Sequence, residues 1–147
     1  MKNHTSVLIV DDSAETREIL RRHLESWGYK TLTAASVTQA LQLIQNNGFD
    51  LVITDVVIPD QDGFQLLRHV HENHKDMEVL VITGFPLIED AVRAIKQGAE
   101  EYLIKPFTED ELAAAVNRTV EKIQARRRLE PAPALESAKG LIGESPA

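Results

Sequence analysis

Short β-branched runs alternate along this chain with segments of helix length, and this alternation constrains the fold more than any other feature. The run from Ser6 to Val10 is almost continuously apolar, which is typical of a strand buried on both faces. The run from Val79 to Thr83 has the same character. Between such runs, apolar residues recur every three or four positions, which indicates amphipathic helices. Five strand–helix units in succession predict an α/β fold with a doubly wound parallel sheet and helices on both faces.

Capping residues indicate where several of the helices begin. Ser13, Ser36 and Thr108 each precede a helix-length segment and are suited to be N-caps. The helix after Thr108 is expected to continue to about Leu129, well beyond the last strand. Pro131 and Pro133 then prevent its continuation, and the small and polar residues that follow are typical of a linker.

The composition of the 147-residue chain excludes several kinds of function. The chain has no cysteine, which excludes disulfides and thiolate metal sites and agrees with a reducing cytoplasm. Its net charge of −7 argues against nucleic-acid binding by this segment, because neutralising phosphates requires clustered Lys and Arg. No apolar run has the length of a membrane span, so we expect a cytoplasmic protein without membrane contact.

Polar residues follow four of the five predicted strands at the point where each strand ends. They are Asp11 and Asp12 after the first, Asp55 after the third, Thr83 and Gly84 after the fourth, and Lys105 after the fifth. In doubly wound sheets the functional site lies beyond the carboxyl ends of the strands. The sequence therefore predicts that three carboxylates, one hydroxyl and one ammonium group converge there.

These residue types suit phosphoryl chemistry beside a hard cation. Mg²⁺ prefers a few oxygen ligands, which Asp12 and Asp55 can supply with Asp11 behind them. Clustered carboxylates repel one another without a cation, so the arrangement itself argues for a bound metal ion. The Asp55 carboxylate can also act as a nucleophile towards phosphorus. Lys105 and Thr83 can then stabilise the charge on the phosphoryl oxygens.

The ordered set of strand-end segments resembles the receiver domains of two-component response regulators. The segments are Val-Asp-Asp, Thr-Asp-x-x-x-Pro, Thr-Gly and Lys-Pro-Phe, and the resemblance extends over roughly residues 4 to 124. It implies a flavodoxin-like sheet with strand order 2-1-3-4-5. It also implies phosphorylation of Asp55 by a sensor histidine kinase, with Mg²⁺ as the cofactor.

The same resemblance implies a role for each residue of the site. Mg²⁺ is assigned to Asp12, Asp55 and the Val57 carbonyl, with Asp11 contributing through water. Phosphoryl recognition and switching are assigned to four residues, namely Thr83, Gly84, Lys105 and Tyr102. The small Gly84 leaves the acceptor accessible to the donor, and the Lys105–Pro106 bond is a candidate for a cis peptide.

One departure from the family pattern bears on the lifetime of the phosphorylated state. Val57 stands two positions after the acceptor, where many relatives carry a polar side chain, and Phe85 stands two positions after Thr83. Apolar groups there hinder an attacking water, so we expect slow self-dephosphorylation. As a receiver domain, the chain is expected to catalyse only its own phosphorylation and slow dephosphorylation. It is not expected to be an enzyme that acts on other substrates.

The C-terminal seven residues carry a second resemblance. Leu-Ile-Gly-Glu-Ser-Pro-Ala, residues 141–147, is similar to the start of the AAA+ ATPase domain of sigma-54-dependent activators of the NtrC and DctD kind. The domain expectation is therefore a receiver at 1–124, a helical extension and linker at 125–140, and the start of a truncated AAA+ domain at 141–147.

Apolar spacing in the last helix suggests a homodimer whose formation phosphorylation could switch. The 4-3-4 seam consists of Leu112, Val116, Thr119 and Ile123, close to a heptad repeat. We expect this seam to act together with the surface of the fourth helix and fifth strand.

Alternative functions are a stand-alone receiver interaction module, an aspartyl-phosphate phosphatase and a flavodoxin-like cofactor binder. A phosphatase of the haloacid dehalogenase type has a second aspartate two residues after the nucleophile, where this chain has Val57. A flavodoxin-like binder needs a phosphate loop rich in Ser, Thr and Gly, whereas Asp11 and Asp12 would repel phosphate.

Overall fold

The computed structural model describes residues 5–55, 57–58, 61–84 and 88–129. The elements in chain order are β1 Ser6–Val10, α1 Ala14–Ser26, β2 Lys30–Ala34, α2 Val37–Asn46, β3 Leu51–Thr54, β4 Val57–Ile58, β5 Gln61–Asp62, α3 Gly63–Asn73, β6 Glu78–Thr83, α4 Ile88–Lys96, β7 Glu101–Ile104 and α5 Glu109–Leu129. No helix within these ranges combines the length and the apolarity needed to cross a membrane. The C-terminal segment assigned to a linker and AAA+ start, beyond Leu129, lies outside the described residues.

The main sheet has five parallel strands in the order β2-β1-β3-β6-β7. Two short antiparallel strands, β4 and β5, form a hairpin in which Val57 pairs with Asp62. They lie in the chain between β3 and β6, which are the third and fourth of the five strands predicted from the sequence. The predicted fourth and fifth strands are therefore β6 and β7, and the expected order 2-1-3-4-5 is confirmed. No sequence pattern predicted this hairpin, whose strands have two residues each.

Two apolar cores lie on opposite sides of the sheet, because successive strand residues point to opposite faces. Leu8 and Val10 of β1 belong to the core shared with α2, α3 and α4. Val7 and Ile9 of the same strand belong to the core shared with α1 and α5. The prediction of helices on both faces is confirmed, and this burial explains why β1 is apolar throughout.

Side-chain caps form at the predicted helix starts. The hydroxyls of Ser13 and Ser36 each accept a hydrogen bond from the backbone N–H three residues later. At the start of α5, Thr108 and Glu111 form a reciprocal capping box. Gly28 follows the end of α1 with φ of 94°, a left-handed conformation that glycine adopts at low cost.

The predicted dimer seam of α5 does not lie on the surface, and that prediction is wrong for these residues. The four seam residues are at most 1% exposed, and they are Leu112, Val116, Thr119 and Ile123. The Thr119 hydroxyl donates to the Ala115 carbonyl within the helix. A 4-3-4 stripe serves equally to pack a helix on a sheet, and here the protein's own core covers it. The helix is continuous past residue 124.

Candidate functional site

Three carboxylates meet at the carboxyl end of the sheet. Asp11, Asp12 and Asp55 each offer an oxygen, and these oxygens lie within 4.8 Å of one another. The parallel register of β1 and β3 places Val10 beside Thr54, so the residues that follow reach the same level. Asp11 and Asp55 are 1% and 5% exposed, whereas Asp12 is exposed. The predicted convergence of the carboxylates is thus observed.

Lys105 reaches into the carboxylate cluster from the end of β7. Its Nζ donates to Asp11 Oδ2 at 2.8 Å and to Asp55 Oδ2 at 3.0 Å. Burial of the ammonium lowers the pKa of Lys105, but the hydrogen bonds to Asp11 and Asp55 outweigh it and the pKa is raised. The lysine therefore stays charged at neutral pH and offsets part of the repulsion between the two buried carboxylates.

Asp11 and Asp12 differ in how their carboxylates are engaged. Asp11 Oδ1 accepts a hydrogen bond from the Ser13 N–H at 2.9 Å, and Oδ2 accepts the one from Lys105. The Asp11 carbonyl oxygen accepts a further bond from Arg17 Nη1 at 2.7 Å. Sequence reasoning missed Arg17, because no motif marks it. Asp11 is thus held by three donors, while Asp12 faces solvent.

Thr83 and Gly84 border the site at the end of β6. Thr83 is fully buried, and its carbonyl accepts the Lys105 N–H at 2.9 Å. Gly84 is exposed, and a Cβ there would lie 4.0 Å from the Lys105 Cβ and Cδ, an ordinary van der Waals contact. The structure therefore brings Thr83, Gly84 and Lys105 together, as the strand ends predicted.

The remaining predicted site residues are placed less fully. Tyr102 lies on β7, partly buried against the core of α2, α3 and α4. The backbone of Val57 belongs to β4, while Phe85 lies outside the described residues. The Lys105–Pro106 peptide bond is cis, which confirms that expectation.

The chain belongs to the response regulator receiver domain family, whose model matches residues 7–117. It is 36% identical over 148 residues to the transcriptional regulatory protein ZraR of Escherichia coli O157:H7, covering 99% of this chain and 33% of that protein. It is 33% identical to the DNA-binding transcriptional regulator NtrC of Klebsiella pneumoniae, covering 95% of this chain and 30% of that protein. The chain thus spans about a third of the length of these curated relatives.

A solved structure shares the fold over most of the chain. It is the CheY-like receiver domain protein from Methanospirillum hungatei, with a TM-score of 0.80 and 27% identity, covering 84% of this chain and 99% of that one. The fold, the site geometry and the family model therefore agree on a two-component response regulator receiver domain.

Proposed function

We propose that Asp55 accepts a phosphoryl group from a sensor histidine kinase in the cytoplasm, with Mg²⁺ bound beside it. The observation that carries the proposal is the contact of Lys105 with Asp55 and Asp11 inside a cluster of three carboxylates. In the transfer, an Asp55 oxygen bonds to phosphorus while the bond from phosphorus to the donor imidazole breaks, which gives an acyl phosphate. The chain acts as a phosphoryl acceptor and switch rather than as an enzyme with turnover on other molecules.

The carboxylate cluster suits Mg²⁺, because it offers three carboxylate oxygens that lie within 4.8 Å of one another. Asp12, Asp55 and the Val57 carbonyl are the proposed direct ligands. Asp11 is proposed to act through water, since both of its carboxylate oxygens already accept hydrogen bonds. When bound, the metal ion would neutralise charge on the phosphoryl oxygens.

Lys105 and Thr83 are proposed to recognise the phosphoryl group once it is attached. The Lys105 ammonium is already within hydrogen-bond distance of Asp55, so a small movement would place it against a phosphoryl oxygen. Thr83 precedes Gly84, whose exposure leaves an approach for the donor. Tyr102 is the proposed switch aromatic. It lies on β7, the strand that ends immediately before Lys105.

Labelling with a small phosphodonor tests the acceptor. We expect Mg²⁺-dependent addition of one phosphate by intact-mass measurement, and its complete loss in Asp55→Asn. The matched control is Asp76→Asn, an exposed aspartate in a turn, which should label like the wild type. Labelling that persists in Asp55→Asn would overturn the assignment of the acceptor.

Calorimetric titration with Mg²⁺ tests the division of roles. Asp12→Ala should weaken Mg²⁺ binding at least tenfold, because it removes a direct ligand. Lys105→Ala should leave the affinity unchanged or raise it, since the ammonium competes with a cation for Asp55 and Asp11. Equal losses in the two variants would show that the roles are wrongly divided.

Slow loss of the phosphoryl group is proposed from the apolar side chain at position 57. Replacement by a polar residue, Val57→Asn, should hasten dephosphorylation by helping to orient the attacking water. The decay of the labelled mass with time measures this rate. An unchanged rate would remove Val57 as the cause.

We further propose that the parent protein is a sigma-54-dependent activator, with the receiver at 1–124, a helical extension and linker at 125–140 and an AAA+ domain beginning at 141. The similarity of residues 141–147 to the start of such a domain and the relationship to NtrC support this proposal. Measuring phosphorylation-dependent ATP hydrolysis by the proposed parent protein tests it. ATPase activity independent of Asp55 would contradict it.

A homodimer through α4 and β7 is proposed in place of the seam on α5. Three large apolar side chains on this surface are exposed, with Val92 at 47%, Ile95 at 51% and Ile104 at 46%. Phosphorylation would switch pairing across this surface. Sedimentation with and without beryllofluoride, a phosphoryl mimic, should show a dimer that Ile95→Lys disrupts. Ile19→Lys, which alters an exposed isoleucine on α1, is the matched control and should leave it intact.

A further inference from the structure

The side chains described for helix α4, those of residues 91–96, bury little apolar surface. Among its side chains that the structure describes, from Ala91 to Lys96, only Ala94 is buried. Val92 and Ile95 are about half exposed. A helix of this length gains its stability from packing, because isolated short helices are marginal in water. For this described part of α4, a side-chain contact with the rest of the domain therefore adds to a small amount of apolar packing.

One such contact joins Arg93 of α4 to Phe64 of α3. The guanidinium carbon of Arg93 lies 4.0 Å from the centroid of the Phe64 ring, within the range of a cation–π interaction. Phe64 is only 6% exposed and belongs to the core beneath α3, so its ring is held in position by packing. Arg93 also lies in the last turn of α4, where a cation favours the helix dipole. The contact thus connects the exposed side of α4 to a buried ring of α3.

In the structure, Arg93 contacts Phe64 while Lys105 bonds to both Asp11 and Asp55. A phosphoryl group on Asp55 would alter that arrangement, and the surface that includes α4 is proposed to change with it. A contact made in only one of two states shifts the equilibrium between them by its own free energy. A contact that stabilises the unphosphorylated state therefore lowers the affinity of the site for a phosphoryl group by the corresponding factor.

We infer that Arg93 is a positioning residue whose contact with Phe64 holds α4 in its resting orientation and so opposes the phosphorylated state. The inference rests on the proposed function and names a regulator of it. Arg93 is not among the residues proposed to bind the phosphoryl group or the metal ion, and it would act through the position of α4. Its removal should make the domain easier to activate.

Beryllofluoride affinity of the full chain in the presence of Mg²⁺ is the first test, measured by fluorine NMR. Arg93→Gln should raise the affinity about 2- to 5-fold, the range that a surface cation–π contact supplies. Arg93→Lys should give a smaller rise, because an ammonium stacks less well on an aromatic face. Lys96→Gln is the matched control, with the same charge change on the same helix, and should bind like the wild type.

A double-mutant cycle separates the contact from the loss of charge. Phe64→Leu preserves an apolar side chain but removes the aromatic face, so it should raise the affinity by itself. Adding Arg93→Gln to Phe64→Leu should then have no further effect. Equal effects of Arg93→Gln and Lys96→Gln, or a lower affinity in Arg93→Gln, would overturn the inference.

Hydrogen exchange of the protein without any mimic distinguishes failure of the inference from failure of the proposed function. Arg93→Gln should speed exchange of the α4 amides about 2- to 5-fold and leave those of α3 unchanged. Unchanged α4 exchange would overturn the anchoring role even if the mimic binds. Absence of mimic binding by the wild type would instead overturn the proposed function, and with it the regulatory role of Arg93.

Discussion

Lys105 shows how a single residue can stabilise an otherwise repulsive site. Asp11 and Asp55 are almost fully buried, and two such carboxylates would repel each other in the absence of a cation. The Lys105 side chain is about a quarter exposed, and its ammonium group bonds to both carboxylates. The ammonium group balances part of their negative charge, and its flexible side chain would let it move aside for a metal ion or a phosphoryl group while the site stays folded.

The raised pKa of Lys105 predicts a pH dependence of stability. Burial alone would lower this pKa, but the bonds to Asp11 and Asp55 raise it above the ordinary 10.5. The stabilisation is therefore fully present below pH 10.5 and is lost as pH rises through the higher folded-state value. Lys105→Gln should cost about 1–3 kcal/mol at pH 7 by denaturant unfolding. The difference from wild type should begin to shrink only above pH 10.5, and shrinkage at lower pH would contradict the assignment.

Gly98, just beyond α4, combines a left-handed backbone with a close contact. Its φ is 108°, and a Cβ there would lie 2.4 Å from His71 Nδ1. Gly98→Ala should destabilise the domain by about 1–2 kcal/mol through backbone strain, with displacement of His71 in addition. Gly48→Ala is the control, since nothing lies within 4 Å of its added methyl, and it should stabilise by about 0.4–1 kcal/mol. Equal effects in thermal unfolding would contradict this account.

Helix α5 shows why apolar spacing alone does not identify a partner surface. The stripe that includes Val116 and Ile123 suits either a second helix or the protein's own sheet. In the fold it packs on the sheet, and ion pairs such as Arg118 with Glu101 lie on the exposed side. The hairpin β4–β5 was missed for a related reason, because two-residue strands are too short to show a period.

Substitution within the buried stripe tests the packing of α5. Ile123→Ala should lower the free energy of unfolding by about 2–5 kcal/mol, because Ile123 is 1% exposed and its removal leaves a cavity. Gln124→Ala, at the next and exposed position, should change stability by less than about 0.5 kcal/mol. If Ile123→Ala instead kept full stability and only weakened a dimer, the seam prediction would be restored.

At the scale of the whole molecule, the site exists only while the sheet is intact. Asp11 follows β1, Asp55 follows β3 and Lys105 follows β7, so global unfolding separates residues that parallel pairing brings together. A ligand that binds this assembly and not the unfolded chain must stabilise the fold by mass action. The same linkage makes stability a measure of site occupancy.

Thermal unfolding in Mg²⁺ follows from this linkage. At a concentration ten times the Kd, binding should add about 1.4 kcal/mol and raise the Tm by several degrees. Asp12→Asn should remove most of the increase, because a proposed direct ligand is lost at an exposed position while the fold is kept. Asp76→Asn should retain it. A rise in Tm that survives in Asp12→Asn would place the binding elsewhere.

The sequence by itself determined the five strands of the main sheet and the chemistry of their ends, and the resemblance to receiver domains supplied the strand order. The apolar run of β1, the serine caps and the residues after each strand are local signals, and parallel topology carries them to one edge. Tertiary structure decided which surface covers α5, that Val92 and Ile95 face outward, and that Arg17, Lys105 and Arg93 make their particular contacts. These depend on the positions of elements distant in the chain, which no periodicity encodes. The residues that contact an amphipathic stripe or a single arginine are set only when the helices pack on the sheet.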